Sequence, residues 1–368
     1  MNTWQMLKKD PKLWQKLFIR EKIVESIREF FKKRNFHEVE TPLVVPEVIP
    51  ESYLEYFETY LLDRNRNKRK VFLTTSPEAS IKKLLVAGIG NCFEITKSFR
   101  NTETQSYLHN PEFTILEWYR VGATYKDIME DCERLMKYIL AKVKTFNNQR
   151  SKDTKTQKAN TNLSYQGKKI DLSSPWERIS VIEALDKYAY ISFDEITNPL
   201  KFLNSSNTLF PGSKIARVAR SKGYKIEAKN TWEEIFNQIF LNEIQPHLGT
   251  GGRPTIVYDY PAPMAALAKL KKTDNRLAER FEFYISGLEL GNCFTELTDY
   301  RQQKRIFDKE MNLRYKLGKI KVKPDNDFLV ALKTGLPDCA GIAVGIDRLV
   351  MLFTDSESIS DALLFPMN

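Results

Sequence analysis

A fold that mixes helices and strands, of the α/β or α+β class, is predicted by three features of this 368-residue sequence. A strand, a loop and a second strand are legible from Cys92 to Arg120. Amphipathic helical stretches alternate irregularly with short strand-like runs. The 42% hydrophobic content, with 12% aromatic residues, is enough to build a sizeable core. At this length one large domain or two ordinary ones are equally allowed.

Trp14 to Lys33 reads as an amphipathic helix, because Val24, Ile27 and Phe31, with Ile23 and Phe30, keep the 3–4 spacing of a buried stripe. Phe36 to Pro42 follows as a strand ending at a proline, which suits a dimer interface or ordinary core packing equally. Val71 to Thr74 is a short strand. Ser76-Pro77-Glu78 opens a helix through Val86, with Ser76 as N-cap and Pro77 at the first helical position. Glu78 there either complements the helix dipole or captures a ligand's ammonium group.

The stretch Cys92–Arg120 carries the densest pattern. Side chains on a strand alternate with period two. Glu94, Thr96, Ser98 and Arg100 therefore share one face, and Phe113, Ile115, Glu117 and Tyr119 share a face of the second strand. This is either a hairpin with a solvated polar face or a cation, an aromatic ring, a carboxylate and a phenol directed into one cleft.

Tyr125 to Val143 is predicted as a helix. Residues 145–164 then lose almost all large apolar side chains and are expected to form a flexible basic insertion. Ile170 and Leu172 lie on a strand, Ile179 to Tyr188 on a helix, and 198–229 is partly helical. Thr231-Trp232-Glu233-Glu234 is a capping box that starts a helix through Ile244. Pro254 to Tyr260 is a strand. Phe281 to Leu297 reads as two strands or one bent strand. Glu289 and Glu296 are seven residues apart, an odd interval that a bulge near Gly291-Asn292 would correct, bringing both carboxylates into one site suited to magnesium. Otherwise they are two unrelated surface glutamates. Gln302 to Leu317 is a charged helix. Gly341 to Leu352 is a strand followed by a helix capped by Asp347, with Arg348 at a cleft mouth, able to stack on a purine or pair with a phosphate, or simply exposed.

Composition narrows the classes further. Four widely separated cysteines and three scattered histidines argue against a zinc site or a disulfide framework. No apolar run reaches the length of a bilayer span, about 18 residues. No signal peptide is evident, so a cytoplasmic location is expected. The net charge of +10 is concentrated in residues 142–169, which hold eight Lys/Arg and one Asp. That stretch is a solvated loop or a docking surface for an acidic macromolecule.

Taken together, the helix–strand ending at Pro42, the hairpin with Arg100-Asn101, His109-Asn110-Pro111-Glu112-Phe113 and Glu117, and the run Ala343-Val344-Gly345-Ile346-Asp347-Arg348 resemble the three signature motifs of class II aminoacyl-tRNA synthetases. With Glu289-Leu290-Gly291-Asn292 and Glu296-Leu297, they resemble the lysyl-tRNA synthetase branch. The resemblance implies an α+β catalytic core, an antiparallel β-sheet flanked by helices, usually dimeric, that joins a carboxylic acid to ATP and releases pyrophosphate. It covers the chain from about Phe18 to Phe365 and implies a single class II catalytic domain over residues 1–368.

By the same resemblance Arg100 would hold the α-phosphate, with Phe113 under the adenine and Arg348 over it and near the γ-phosphate. Asn110, Asn101, Thr102 and Glu103 would border the nucleotide, Thr102 and Glu103 competing for the adenine. Leu290 and Gly345 would wall the ATP site, and Glu289 and Glu296 would bind magnesium and substrate. Ser76, Pro77, Glu78, Glu117, Tyr119, Glu296 and Ala343 would line the amino-acid pocket. Arg100, Arg348, Glu289 and Glu296 would be the catalytic set, with ATP and Mg²⁺ as cofactors.

Three departures from the lysyl branch point elsewhere. There is no room before the first motif for an anticodon-binding barrel. Arg301 stands where an acidic residue would meet the lysine ammonium. Ala343 replaces a glycine. With Thr74-Thr75-Ser76-Pro77-Glu78 and Leu336-Pro337-Asp338-Cys339-Ala340, these make the chain similar to the elongation factor P–(R)-β-lysine ligase family. That resemblance implies activation of (R)-β-lysine and its transfer to a lysine of elongation factor P, an acidic protein shaped like tRNA, by a homodimer that contacts neither membrane nor tRNA. The alternatives are an α-lysine-activating paralogue with another acceptor, and a non-catalytic regulator.

Overall fold

The computed structural model describes residues 3–102, 106–151, 161–196, 214–227 and 230–366. The architecture is α+β. An eight-stranded sheet has the order β1-β5-β6-β13-β12-β11-β10-β9. In chain order its strands are β1 (His37–Glu38), β5 (Cys92–Phe99), β6 (Glu112–Val121), β9 (Glu177–Ser180), β10 (Thr255–Pro261), β11 (Leu277–Ile285), β12 (Leu288–Thr295) and β13 (Cys339–Gly345). The six central strands are antiparallel. The outermost pairs, β1–β5 and β9–β10, are parallel, so the expected antiparallel sheet has parallel margins. A smaller sheet holds β2 (Val44–Val45), β3 (Glu58–Leu62) and β4 (Lys68–Leu73), and β7 (Asn162–Tyr165) pairs with β8 (Lys168–Asp171).

One face of the large sheet is covered by α2 (Pro11–Lys32) and α4 (Tyr125–Ser151), and α1 (Thr3–Lys9) packs against α2. The buried stripe of α2, Ile23, Ile27, Phe30 and Phe31, is the one the spacing predicts, and Phe31 stacks on Phe93 of β5 at 4.9 Å. Against the other elements lie α3 (Glu78–Val86), α5 (Val181–Ala184), α6 (Phe193–Ile196), α7 (Lys214–Ser221), α8 (Trp232–Ile239), α9 (Tyr300–Lys316), α10 (Asn326–Gly335), α11 (Ile346–Phe353) and α12 (Ile359–Ala362). Among the described residues no helix is long and apolar enough to cross a membrane. The four cysteines are buried free thiols.

Several local expectations are corrected. The strand before Pro42 shrinks to His37–Glu38. The predicted insertion at 145–164 is not a loop throughout. Helix α4 continues to Ser151, because Phe146 extends the spacing set by Ile139 and Val143, and β7 begins at Asn162 with Leu163 and Tyr165 buried; residues 152–160 lie outside the described set. Two cations of the basic stretch 142–169 are already committed, Lys142 to Glu29 at 2.6 Å and Lys144 to the Asn162 carbonyl at 2.6 Å. Ile179 belongs to β9, and the helix starts only at Val181, where Ser180 and Glu183 form a capping box. Of 198–229, the described residues 214–227 contain the helix α7, and 198–213 and 228–229 are outside the described residues.

The charged hairpin β3–β4 was foreshadowed only by Val71–Thr74. Asp347 does not cap α11. Its carboxylate accepts from Arg20 of α2 at 2.6 Å and from the Thr114 amide at 2.7 Å. That buried junction fixes α2, β6 and α11 to one another directly beside Arg348.

Candidate active site

A cleft of about 990 Å³ is floored by β6, β12 and β13 and bordered by the 42–53 loop, α3 and α9. Four residues of the opening pattern, Arg100, Phe113, Glu117 and Tyr119, border it together. The β6 row reaches it because period-two alternation turns Phe113, Ile115, Glu117 and Tyr119 the same way. Of the first strand's row only Arg100, just past the end of β5, reaches it. Glu94 sits opposite Glu117 in the ladder, but the Thr41 amide and hydroxyl donate to it at 2.9 and 3.3 Å, and that segment covers it.

The odd interval in β12 is resolved by a bulge. Pairing with β11 runs Phe283 to Gly291 and then Tyr284 to Glu289, leaving Leu290 as the extra residue. The phase of the side chains reverses there. Glu289 therefore borders the cleft together with Asn292, Phe294 and Glu296, while Cys293 is buried in the main core and Leu290, also packed into that core, still lines the cleft.

At one end of the cleft lies a buried charged cluster. The Lys82 ammonium, 1% exposed, donates to Glu78 at 2.5 Å and pairs with Glu296, itself 1% exposed. Burial alone would lower the lysine's pKa; the facing carboxylates of Glu296 and Glu78 more than offset this and hold it above the ordinary range. Glu117 accepts from the Ser76 hydroxyl at 2.6 Å and from the Tyr119 hydroxyl at 3.1 Å. Burial, followed by the Glu78 charge, pushes its carboxyl up to about 8. Burial also pushes Glu296 up, opposed by Lys82.

Ser76 serves the start of α3 as well, accepting from the Glu78 amide at 3.1 Å, and the helix begins at Glu78 rather than Pro77. Pro77 is buried and does not border the cleft. Ala343 pairs with Glu117 across the β13–β6 ladder and borders the same end. Gly341 pairs with Tyr119, and a Cβ there would lie 2.2 Å from the Tyr119 ring and 2.9 Å from Glu296. The ring fills the space that the glycine leaves.

At the other end the Arg100 guanidinium stands 5.1 Å from the Phe113 ring centroid. Arg348 donates to the carbonyls of Glu289 at 2.8 Å and Leu108 at 3.3 Å, meets His109 Nε2 at 2.8 Å, and lies 3.5 Å from the Glu289 carboxylate. Gly345 packs beside the Arg348 stem. Asn110 borders the cleft and donates to the Glu112 carbonyl at 2.5 Å. Asn101 instead braces the wall, its amide groups donating to the carbonyls of Glu55 at 3.0 Å and Tyr56 at 3.3 Å. Thr102 is exposed outside the cleft, and Glu103 lies outside the described residues.

The two carboxylates expected to share magnesium are differently placed. Glu296 is held by Lys82, whereas Glu289 opens on the cleft, and its pKa is raised by burial and then by the nearby Glu282. Mg²⁺ takes one or two carboxylates and fills the rest of its sphere with phosphate oxygens and water. Glu289 fits that role; Glu296, in its ion pair, does not. Arg301 also departs from expectation. It lies on the exposed side of α9 and not on the cleft, because Asp299 caps the helix and Arg301, its second residue, falls on the face opposite the packed Tyr300 and Gln303.

Sequence reasoning missed three site residues. Lys82 follows Glu78 by one helical turn, which was the available signal. His109 lies in the recognised loop. Glu282, held by Tyr260, Tyr284 and Arg280 at 2.6–2.7 Å, faces Asn292 across the ladder.

A family model described as class II tRNA synthetases (D, K and N) matches residues 2–368. The chain is 34% identical over 358 residues to a lysine–tRNA ligase of Carboxydothermus hydrogenoformans, covering 97% of this chain and 66% of that protein. It is 34% identical over 351 residues to an elongation factor P–(R)-β-lysine ligase of Buchnera aphidicola subsp. Schizaphis graminum, covering 95% and 94%. It is 33% identical over 352 residues to the protein of that name from Proteus mirabilis, again covering 95% and 94%. The chain thus spans about two thirds of the length of the lysine–tRNA ligases it matches.

Proposed function

Because the chain belongs to the class II tRNA synthetases of the D, K and N group, we propose that it is an AMP-forming, ATP-dependent ligase that activates (R)-β-lysine and transfers it to a lysine of elongation factor P. The observation that carries this reading is the cluster of the partly buried Glu78 and the buried Glu117 and Glu296 around a single internal lysine. Three carboxylates against one ammonium leave room for two further positive charges, which a diamino acid supplies. Ala343, level with Glu117, narrows the pocket by one methyl and favours the β-isomer.

The residues divide the work. Glu78, Glu117 and Tyr119 hold the two ammonium groups and leave the substrate carboxylate turned toward Arg100. That carboxylate attacks the α-phosphorus of ATP; the new P–O bond forms as the bond to pyrophosphate breaks. Arg100 neutralises the charge that grows on the α-phosphate, Phe113 packs on the adenine, and Arg348 binds the nucleotide from the motif-3 helix. Glu289 would hold Mg²⁺ together with the phosphates, where the ion would neutralise their charge. The ε-amine of the acceptor lysine then attacks the acyl carbon, AMP leaves and the amine loses a proton. No protein nucleophile is required. The chain is read as one catalytic domain acting in the cytoplasm as a homodimer.

The test is incubation with ATP, amino acid and purified elongation factor P, reading the mass of the factor. Pyrophosphate exchange with (R)-β-lysine is expected to exceed that with α-lysine, and Ala343→Gly is expected to raise α-lysine use. Equal exchange with both amino acids would sink the assignment. A second reading, activation of α-lysine, gains from the outward position of Arg301, which removes one obstacle to that substrate.

A pH dependence follows from Glu117. Its carboxyl is raised to about 8, so below that pH it must release a proton before it can face an ammonium group. The amino-acid KM is expected to rise as pH falls, approaching about tenfold per unit below pH 8, with a proton released on binding. A KM that stays level from about pH 6.5 to about pH 8.5 would remove Glu117 from the pocket's recognition of charge.

A further inference from the structure

We propose that the β3–β4 hairpin and the stretch after α9 form the surface on which an acidic protein acceptor docks; the inference rests on the ligase reading above. All five residues of β3 are exposed. Neighbouring residues on a strand face opposite ways, so neither side of β3 is covered. It is also the edge of its sheet. Tyr60, Leu61 and Leu62 are 48%, 43% and 52% exposed. An apolar edge strand left open on both faces is a common place for a partner to bind.

The tip of this hairpin is strongly basic, with Arg64, Arg66, Lys68, Arg69 and Lys70 close together. Its one acid, Asp63, is committed to the turn, accepting from the amides of Asn65 and Asn67 at 2.8 Å. Lys70 pairs with Glu58. Among the described residues, Arg64, Arg66 and Arg69 are exposed and have no carboxylate partner.

The surface continues to the cleft. Lys70 reaches the Lys321 carbonyl at 3.5 Å, which sets the hairpin against the 318–323 stretch with its exposed Lys321 and Lys323. Just before it stand Lys316 and Tyr315, the latter 78% exposed. On the inner side of the same helix Ile306 and Leu313 border the cleft. Lys323 is paired with Glu47, and the cations Lys316 and Lys321 lead from the helix that borders the cleft to the basic hairpin tip. Such a surface steers an acidic partner and sets its orientation. The exposed leucines favour a protein face over a phosphate backbone, which offers nothing to cover them.

The test compares the parent chain with Arg64→Glu/Lys68→Glu/Arg69→Glu and, separately, Lys316→Glu/Lys321→Glu. The readouts are pyrophosphate exchange, labelling of purified elongation factor P at several salt concentrations, native mass, and a gel shift with bulk tRNA. Exchange is expected to be unchanged in both variants. Labelling is expected to fall about tenfold or more and to lose its sensitivity to salt. Undiminished labelling in both variants overturns the docking surface alone. So does a variant that changes native mass, which would make the hairpin a contact between copies, or one that loses tRNA binding while labelling as before. A parent that exchanges pyrophosphate but never labels the factor overturns the ligase reading, and the docking proposal with it.

Discussion

Replacing Lys82 with methionine is expected to destabilise the folded chain by about 3–5 kcal/mol and to abolish amino-acid-dependent pyrophosphate exchange. The magnitude is that of removing one partner from a buried charge pair, which leaves the other uncompensated. Lys82 is enclosed, 1% exposed, and both Glu78 and Glu296 depend on it. Methionine keeps the length of the side chain and removes the charge, so the loss would not come from an empty cavity. Chemical denaturation measures it directly. The double variant Lys82→Met/Glu296→Gln removes one of the stranded carboxylates and is expected to regain most of the stability without regaining exchange. A single variant within about 1 kcal/mol of the parent would show that the cluster is hydrated in solution and that the internal lysine is not its keystone.

The second large effect concerns Arg100. Changing it to alanine is expected to lower the exchange rate by about 10²–10³, the range seen when a preorganised donor to a developing negative charge is lost. Stability should change little, since Arg100 lies at the end of β5 with its guanidinium beside Phe113 rather than in the core. Lysine at the same position keeps a charge but not the flat fork of an arginine, so it is expected to restore only part of the rate. Single-turnover formation of the adenylate separates this loss from one in amino-acid binding. An unchanged rate with alanine would assign the α-phosphate to another cation, and Arg280, which also borders the cleft, would be the next to examine.

Much of this site could be read from the chain because its carriers are local. Period-two alternation was enough to turn Phe113, Glu117 and Tyr119 to one side, and the odd spacing of Glu289 and Glu296 showed that a bulge was needed if they were to share a site, without deciding whether they do. What could not be read depends on contacts between distant parts of the chain. Nothing near Glu94 says that Thr41 will cover it. Nothing near Glu296 says that Lys82 will reach it and remove it from the metal's set of ligands. Asp347 looked like a cap because it stands where an apolar strand gives way to a helix, yet Arg20 and the Thr114 amide claimed it first. The hairpin β3–β4 was hidden because its charged sequence resembles a loop, and β3 buries no residue of its own but is held by its ladder to β4, whose Val71 and Phe72 are buried. Arg301 shows the opposite error. Its position in a familiar run suggested a role in the pocket, but the helix geometry turned it to solvent.

The extra residue at Leu290 makes the distance between the two glutamates a matter of parity. On an uninterrupted strand an even interval would keep two side chains together and an odd one would part them. Here the interval is odd and both carboxylates nonetheless border one cleft, so the count itself records the irregularity. Losing one residue between Gly291 and Glu296 while the bulge stays would make the interval even and turn the two carboxylates to opposite sides. The length of this strand is therefore part of the active site's specification, alongside the chemistry of its side chains.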